Sequence, residues 1–235
     1  MKLTTILFDL DGTLLPMNQE TFVKAYFGEL VKYMAVYGYE PELLMKTVYT
    51  GTGAMIHNDG SATNEDVFWN YFSSVYGDDS RKDIPQFEEF YKTKFNLVKD
   101  ICGFNPEAGN TIKYLKEKGY TLVLATNPLF PQIATKNRMG WAGLDTEDFA
   151  FYTTYEDSYF CKPNPEYYKE VMSKLNVSPE ECLMVGNDVS DDMVAASLGL
   201  RVFLLTDTLE NKTNTDISEY PQGSFSDLIE YINSL

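Results

Sequence analysis

The sequence has little positive charge and no long apolar run. Lysine and arginine together number 19 against 35 aspartate and glutamate residues, so the formal net charge is −16. Such a charge repels nucleic-acid phosphates and anionic membrane surfaces, and we expect neither nucleic acid nor a membrane as a partner. No uninterrupted apolar stretch approaches the length of a membrane-spanning helix, and the N-terminus lacks the apolar segment of a signal peptide.

Cysteine and histidine are also scarce. The three cysteines, Cys102, Cys161 and Cys182, show no metal-ligand spacing. Scattered cysteines of this kind are typical of a reducing compartment, so we expect a cytoplasmic protein. The single histidine, His57, lies in the glycine-punctuated segment 51–60, which favours an exposed loop residue over a substrate contact.

The most informative segment lies near the N-terminus, where an apolar run ends in two acids. Residues 3–8 predict a strand buried on both faces of a parallel sheet, and Asp9, Asp11 and Gly12 follow it. The two carboxylates would share a face if the strand continued. One acid after a strand is common in a solvated turn, but two after so apolar a run favour a ligand site at the carboxyl end of a central strand.

Residues 9–14, Asp-Leu-Asp-Gly-Thr-Leu, resemble the first motif of the haloacid dehalogenase-like (HAD) hydrolase superfamily. The resemblance implies that Asp9 is a nucleophile and that Asp11 is the general acid and base. It also implies three further motifs in a fixed order, and the chain offers a candidate for each. The resemblance covers residues 1–16 and about 105–205.

The second candidate motif is the apolar run 120–125, which closes on Thr126 and Asn127. A threonine at a strand end is by itself usually a cap or turn residue. The resemblance implies that Thr126 hydrogen-bonds a transferring phosphoryl group, and we place Asn127 beside it as a substrate-binding residue.

The third candidate is Lys162, which stands in a Lys-Pro-x-Pro pattern. The prolines exclude a helix interior here, and Pro165 fits the first turn of a helix that continues through Leu175. A lone lysine is usually a solvated surface residue. The resemblance instead gives Lys162 a catalytic and substrate-binding role, in which it neutralises charge between the nucleophile and the phosphoryl oxygens.

The fourth candidate follows the apolar run 182–186 with a cluster of acids. The resemblance implies that one or two acidic residues here hold Mg²⁺. Asp188 and Asp192 have the shorter family spacing, whereas Asn187 and Asp192 have the longer one, so two registers are open. Asp188 is the better expected ligand because it is charged, and a helix-capping role would not exclude metal binding. Asp191 is expected to point elsewhere.

The expected Mg²⁺ ligands are therefore two acids from the first motif and two from the fourth: Asp9, Asp11, Asp188 and Asp192. Because the chain is acidic, the metal ion and Lys162 would offset the carboxylates where an anionic ester binds. Asp11 also separates activities within the superfamily, because the true dehalogenases have no acid two residues after the nucleophile. The expected activity is hydrolysis of a small phosphorylated metabolite, with a phosphomutase or a non-catalytic binding protein as alternatives.

More than a hundred residues separate the first motif from Thr126, far more than one crossover requires. Apolar residues at helical spacing predict helices in this insertion at 19–37, 41–49, 65–76 and 84–98, with loops at Gly51, Gly53, Gly60 and Gly77. The resemblance implies that this insertion is a helical cap. We therefore expect an inserted helical-bundle cap domain at 17–98 and a core domain formed by 1–16 and 99–235.

The remainder of the chain alternates between helical and strand-like segments. The expected elements are helix 108–118, strand 120–125, helix 132–139, strand 149–154, helix 165–175, strand 183–186, helix 191–198, strand 201–206 and helix 225–234. This alternation predicts an α/β fold with a Rossmann-like parallel sheet and helices on both faces.

Overall fold

Short apolar runs form a six-stranded sheet in the computed structural model, which describes residues 2–235. The strands are β1 (Thr5–Phe8), β2 (Thr121–Leu124), β3 (Phe151–Tyr152), β4 (Cys182–Gly186), β5 (Arg201–Leu205) and β6 (Gln222–Gly223). Every neighbouring pair is parallel and the order is β3-β2-β1-β4-β5-β6. This is the Rossmann strand order, with β1 at the position where the direction of winding reverses. The α/β prediction is confirmed.

The helices pack on both faces of the sheet and above its carboxyl edge. They are α1 (Gln19–Met34), α2 (Pro41–Ile56), α3 (Asn64–Tyr76), α4 (Ile84–Lys92), α5 (Pro106–Glu117), α6 (Gln132–Trp141), α7 (Pro165–Leu175) and α8 (Phe225–Ser234). Ile6 and Phe8 belong to a core shared with α5, α6 and α8, whereas Leu7 belongs to a separate core shared with α7. Alternate strand residues thus bury both faces, as a covered parallel sheet requires. No helix within residues 2–235 combines the length and the apolar character needed to cross a bilayer.

Two helices begin and end where the sequence predicts. In α7, the Asn164 side chain accepts a hydrogen bond from Glu166 N, Pro165 follows as the first helical residue, and Asn176 closes the helix in the left-handed conformation. In α8, Ser224 and Asp227 form a reciprocal capping box. These caps satisfy backbone groups at the helix ends that would otherwise lack partners.

The predicted loop at Gly51 and Gly53 is wrong, because α2 continues through both residues to Ile56. A Cβ atom at position 51 would lie 2.9 Å from the ring of Phe68 in α3. Gly51 is therefore explained by the close approach of two helices and not by a turn, since glycine alone leaves that space free.

Other predicted elements are shorter or differ in type. The expected helix 84–98 ends at Lys92, and a 3₁₀ helix follows at Lys94–Ile101. The expected helix 191–198 is a 3₁₀ helix at Met193–Leu198, and the loop before it is held by side-chain hydrogen bonds to the amides of Asp188, Ser190 and Asp191. The expected strand 149–154 is reduced to the two residues of β3. The two-residue strand β6 is not predicted from the sequence.

Helices α1 to α4 form an aromatic-rich layer above the sheet edge. Phe72, for example, lies within 5.4 Å of the Phe87 and Trp69 rings, measured between centroids. Phe95 connects this layer to Trp141 of α6 at 5.0 Å, and Trp69 Nε1 donates to the Tyr155 hydroxyl at 3.4 Å. The expected cap boundary at residue 98 falls inside the segment Lys94–Ile101, and the division into domains stays a prediction.

Candidate active site

The predicted motifs meet at the carboxyl edge of the sheet, where a cavity of ≈ 160 Å³ opens between the sheet and α1. Asp9 follows β1 directly, Thr126 and Asn127 follow β2, and Asn187 follows β4. Six of the seven predicted site residues line this cavity: Asp9, Asp11, Thr126, Asn127, Asp188 and Asp192. The seventh, Lys162, lies beneath it against Asp9.

Asp9 is held from two sides. Lys162 Nζ donates to Asp9 Oδ1 at 2.9 Å, and the hydroxyl of Thr13 donates to Asp9 Oδ2 at 3.0 Å. The Asp9 backbone amide also donates to Val185 O of β4 at 2.9 Å, which fixes the chain as it leaves β1. Both oxygens of the Asp9 carboxylate are thus oriented by protein donors.

Lys162 is buried between two carboxylates. Its side chain is 1% exposed, and its Nζ atom also donates to Asp192 Oδ1 at 2.7 Å. Burial by itself lowers the pKa of Lys162, but the attraction of Asp192 and Asp9 outweighs it and raises that pKa well above the usual value. Lys162 is therefore cationic at neutral pH and compensates charge at the bottom of the cavity.

Both oxygens of the Asp192 carboxylate accept hydrogen bonds from the protein. Its Oδ2 atom accepts from the Asp188 amide at 3.0 Å, while Oδ1 accepts from Lys162. Gly186 makes this position available, because a Cβ atom there would overlap the Asp192 carboxylate. Of the two roles that the sequence leaves open for Asp192, the geometry favours an indirect one.

Asp11 has a partner that the sequence reasoning missed, the buried Arg138 of α6. The guanidinium Nη1 of Arg138 is paired with Asp11 Oδ2, and the Arg138 side chain also lies 4.5 Å above the Phe130 ring. Within residues 2–235, Asp11 Oδ1 has no hydrogen-bond partner. Burial raises the pKa of Asp11, and Arg138 opposes part of that rise.

This arrangement suits a group that exchanges protons. One oxygen of Asp11 is paired with Arg138, the other is buried without a hydrogen-bond partner in the described part of the chain, and burial raises the pKa of this carboxyl. A signal for Arg138 was present in the sequence. The residue shares a helical face with the buried Ala134 and Trp141, and an arginine on such a face requires a buried anionic partner.

The second motif contributes a fixed backbone and a polar amide. The Thr126 carbonyl accepts from the Tyr167 hydroxyl at 2.9 Å and from Thr153 Oγ1 at 2.6 Å. Asn127 Nδ2 donates to Asp191 Oδ2 at 3.3 Å. Asp191 also lies on the cavity wall, and the expectation that it points away from a metal ion stays a prediction.

Asn187 and Asp188 of the fourth motif differ in how far their side chains are occupied by hydrogen bonds. Asn187 is engaged at both ends of its amide: Oδ1 accepts from the Thr13 hydroxyl at 2.9 Å, and Nδ2 donates to Thr208 O at 2.7 Å. Asp188 Oδ1 accepts from two backbone amides of its own loop, at 2.7 Å and 2.9 Å. Its Oδ2 atom accepts no hydrogen bond from the described residues and is available to a ligand.

The donors at the cavity are compatible with a hard cation. Among residues 2–235, no three histidine, cysteine, aspartate or glutamate side chains converge as a complete metal centre. Mg²⁺ does not need such a set, since it is commonly held by one or two carboxylates together with substrate phosphate and water. Asp9 and Asp188 supply carboxylate oxygens on the same cavity.

If Asp11 delivers a proton and Asp9 attacks, Arg138→Met should impair only the proton delivery, because Asp11 Oδ2 loses the pair that positions it. Removal of Arg138 also raises the pKa of Asp11 further. The kcat/KM for an alkyl phosphate, whose leaving group needs a proton, should fall by about 10- to 100-fold. The kcat/KM for para-nitrophenyl phosphate should fall much less, because nitrophenolate leaves without one. Steady-state kinetics with both esters measures the difference.

The matched variant is Arg138→Lys, which keeps a cation beside Asp11 and should retain more activity on the alkyl ester. Equal losses on both esters in Arg138→Met would contradict a positioning role for Arg138 and indicate general structural damage.

Comparisons with known proteins agree with the fold. A model of the haloacid dehalogenase-like hydrolases matches residues 3–213. The pyrophosphatase PpaX of Bacillus cereus (strain Q1) is 24% identical over 237 residues, which cover 100% of this chain and 99% of that protein. Among solved structures, a 2-haloacid dehalogenase from Pseudomonas syringae pv. Tomato DC3000 aligns with a TM-score of 0.63 and 20% identity, covering 99% of both chains. A predicted phosphoglycolate phosphatase from Haemophilus somnus 129PT aligns with a TM-score of 0.57 and 20% identity, covering 98% of both chains.

The solved structures share the fold at low identity and include both phosphatases and dehalogenases. The family model, in contrast, spans nearly the whole sequence, from the strand before Asp9 to beyond the fourth motif. We conclude that this chain is an enzyme of the haloacid dehalogenase-like hydrolase family.

Proposed function

We propose that the protein is a Mg²⁺-dependent phosphatase that hydrolyses a small phosphate monoester through an aspartyl-phosphate intermediate. The observation that carries the proposal is the contrast between two carboxylates on one cavity. Asp9 is hydrogen-bonded to the cationic Lys162, whereas burial raises the pKa of Asp11, whose Oδ1 is free. One carboxylate is thus suited to nucleophilic attack and the other to proton transfer.

In the first step, a carboxylate oxygen of Asp9 forms a bond to phosphorus as the bond to the ester oxygen breaks. Asp11 gives its proton to the departing alkoxide, which leaves as an alcohol. Lys162 lies 2.9 Å from Asp9 Oδ1 and compensates negative charge on the transferring group.

In the second step, Asp11 is ionised and takes a proton from a water molecule as that water attacks the phosphorus. The bond between phosphorus and Asp9 breaks, which releases inorganic phosphate and restores the Asp9 carboxylate. The proton is again on Asp11, so the cycle closes without another reactant.

Further groups are placed to orient the phosphoryl oxygens. Thr126 and Asn127 line the cavity beside Asp9. The Thr126 hydroxyl can donate to a phosphoryl oxygen, whereas Asn127 Nδ2 would have to exchange its bonds to Asp191 and Lys162 O for one to the substrate. Asp9, the Asp11 carbonyl and Asp188 would hold Mg²⁺, with Asp192 acting through Lys162 and the Asp188 amide. A bound Mg²⁺ would supply positive charge to the phosphoryl oxygens and to the nucleophile.

The alternatives differ in what they require of Asp11. A dehalogenase releases halide, which needs no proton, so the proton-holding environment of Asp11 favours phosphate esters. A phosphomutase would use the same two acids but would return the phosphoryl group to an alcohol instead of water. A binding protein without turnover would show phosphate affinity alone.

The test is an assay with para-nitrophenyl phosphate, with and without Mg²⁺, that follows nitrophenolate and inorganic phosphate together. We expect equal amounts of both products and a strong dependence on Mg²⁺. Nitrophenolate without inorganic phosphate, in the presence of an acceptor alcohol, would indicate a mutase. Absence of both products over a panel of esters would refute the proposal.

For the metal, we expect Asp188→Ala to raise the Mg²⁺ concentration for half-maximal rate more than any other variant of the fourth motif. Asp192→Ala should have a smaller effect, and Asn187→Ala and Asp191→Ala the smallest. The reason is that Asp188 offers a carboxylate oxygen without a protein partner, whereas both ends of the Asn187 amide are occupied.

Titration calorimetry with Mg²⁺ alone provides a readout that does not depend on turnover. Asn187→Ala serves as the neighbouring control. If it weakens Mg²⁺ binding more than Asp188→Ala does, then the longer motif spacing is correct and the ligand assignment is off by one residue.

A further inference from the structure

A second cavity adjoins the site, inside the layer formed by α1 to α4. Its volume is ≈ 180 Å³. Val23, Leu129 and Phe130 line both this cavity and the one that contains Asp9. These three residues lie between the two spaces, so the leaving part of an ester bound at Asp9 would meet the second cavity beyond them.

The walls of the second cavity are almost entirely apolar. They include the rings of Phe68, Trp69 and Phe87, which pack against one another in the aromatic layer. Among the described residues that line it, Glu88 is the only charged one, and there is no lysine, arginine or histidine.

Three of the four tyrosines that line this cavity, Tyr26, Tyr91 and Tyr155, have hydrogen-bonded hydroxyls. The hydroxyls of Tyr26 and Tyr91 are 2.8 Å apart, and the Tyr155 hydroxyl accepts from Trp69 Nε1 at 3.4 Å. Burial raises the pKa of all three phenols above the usual value, so none carries charge at neutral pH. The cavity thus offers ring faces and neutral hydroxyls, but none of the side chains described along its walls is a cation that could pair with an anion.

We infer that the leaving group of the substrate is apolar and about the size of an aromatic ring, and that it carries no second anionic group. This inference rests on the proposed phosphatase function and names the class of its substrate. A dry apolar cavity of about 150 Å³ accommodates benzene, so a cavity of ≈ 180 Å³ has room for a ring.

Small substrates whose leaving part carries a second anionic group fit this cavity poorly. The leaving part of pyrophosphate or phosphoglycolate carries its own negative charge, which would meet aromatic walls and Glu88. Burying a charge without a partner is strongly unfavourable. The cationic side chains at the site are already committed, Lys162 to Asp9 and Asp192, and Arg138 to Asp11.

The experiment compares kcat/KM for benzyl phosphate, phosphoglycolate and pyrophosphate with the full-length protein and Mg²⁺. Benzyl phosphate and phosphoglycolate both release a primary alkoxide, so the difference between them reports mainly on the rest of the leaving group. We expect benzyl phosphate to be favoured over both anionic substrates by at least about tenfold, the scale on which pockets discriminate apolar groups.

Val23 provides a matched pair of variants, because it lies on the boundary of both cavities and is 39% exposed. Val23→Lys places a cation there, and Val23→Met has a similar length without charge. The ratio of kcat/KM for benzyl phosphate to that for phosphoglycolate should be at least about tenfold lower in Val23→Lys than in Val23→Met.

A benzyl preference below tenfold in the unmodified protein, or a phosphoglycolate or pyrophosphate preference, overturns the inference and leaves the phosphatase proposal standing. If no ester is turned over, the proposed function fails instead, and binding of unreactive phosphonates then decides the inference. Benzylphosphonate binding at least about tenfold tighter than phosphonoacetate by calorimetry would sustain it. Equal or tighter binding of phosphonoacetate would overturn it.

Discussion

Asp9→Asn is expected to reduce turnover of phosphate esters to below about a hundredth of the unmodified rate, because it removes the covalent route. The fold should persist, since an amide oxygen can still accept the hydrogen bond that Lys162 donates to Asp9 Oδ1 at 2.9 Å. Steady-state kinetics with para-nitrophenyl phosphate, together with thermal unfolding, measures both effects.

Asp191→Asn is the matched control for this prediction, because it removes a carboxylate from the same cavity wall. Its loss of rate should be much smaller. A folded Asp9→Asn variant that keeps more than about a hundredth of the rate would show that Asp9 is not the nucleophile.

Lys162→Met should lower both stability and activity. The change leaves the Asp9 and Asp192 carboxylates without their shared cation, and breaking a buried pair in this way costs about 3–5 kcal/mol of the free energy of unfolding. The kcat/KM should fall by at least about a hundredfold, because a preorganised cation beside the transferring group is lost. Chemical denaturation measures the change in the free energy of unfolding, and steady-state kinetics measures the change in kcat/KM.

The double variant Lys162→Met/Asp192→Asn separates the two effects. It removes one of the uncompensated charges, so it should recover part of the stability without recovering activity. Recovery of activity together with stability would mean that Lys162 acts on the fold alone, contrary to a role at the phosphoryl group.

Much of the site is predictable because its residues stand at the ends of strands. Asp9 and Thr126 each follow an apolar run, and parallel strands bring such ends to one edge of a sheet. The Lys-Pro-x-Pro pattern identifies Lys162 as a candidate site residue. The partner of Asp11 could not be found in this way, because Arg138 is 127 residues away and meets it only through the packing of α6.

The fold shows the same division between local and tertiary causes. The bounds of α7 and α8 follow from capping residues that lie beside the helices themselves. The length of α2 does not follow from neighbouring residues. Gly51 predicts a turn in the sequence, and its packing against the ring of Phe68 is a tertiary contact that the local sequence does not show. The helix expected at 191–198 begins only at Met193, after Asp192, whose carboxylate is bonded to Lys162 from 30 residues earlier in the chain.

The central claim is that the phosphoryl group is carried by Asp9, and trapping that species tests it most directly. In Asp11→Asn, para-nitrophenyl phosphate should still phosphorylate Asp9, because nitrophenolate needs no proton, whereas hydrolysis should stall without a base. The amide of the variant keeps an acceptor for Arg138. After an acid quench in the presence of Mg²⁺, peptide mass spectrometry should find one phosphoryl group on Asp9. A folded variant that shows no such adduct, or carries it on another residue, would contradict the account.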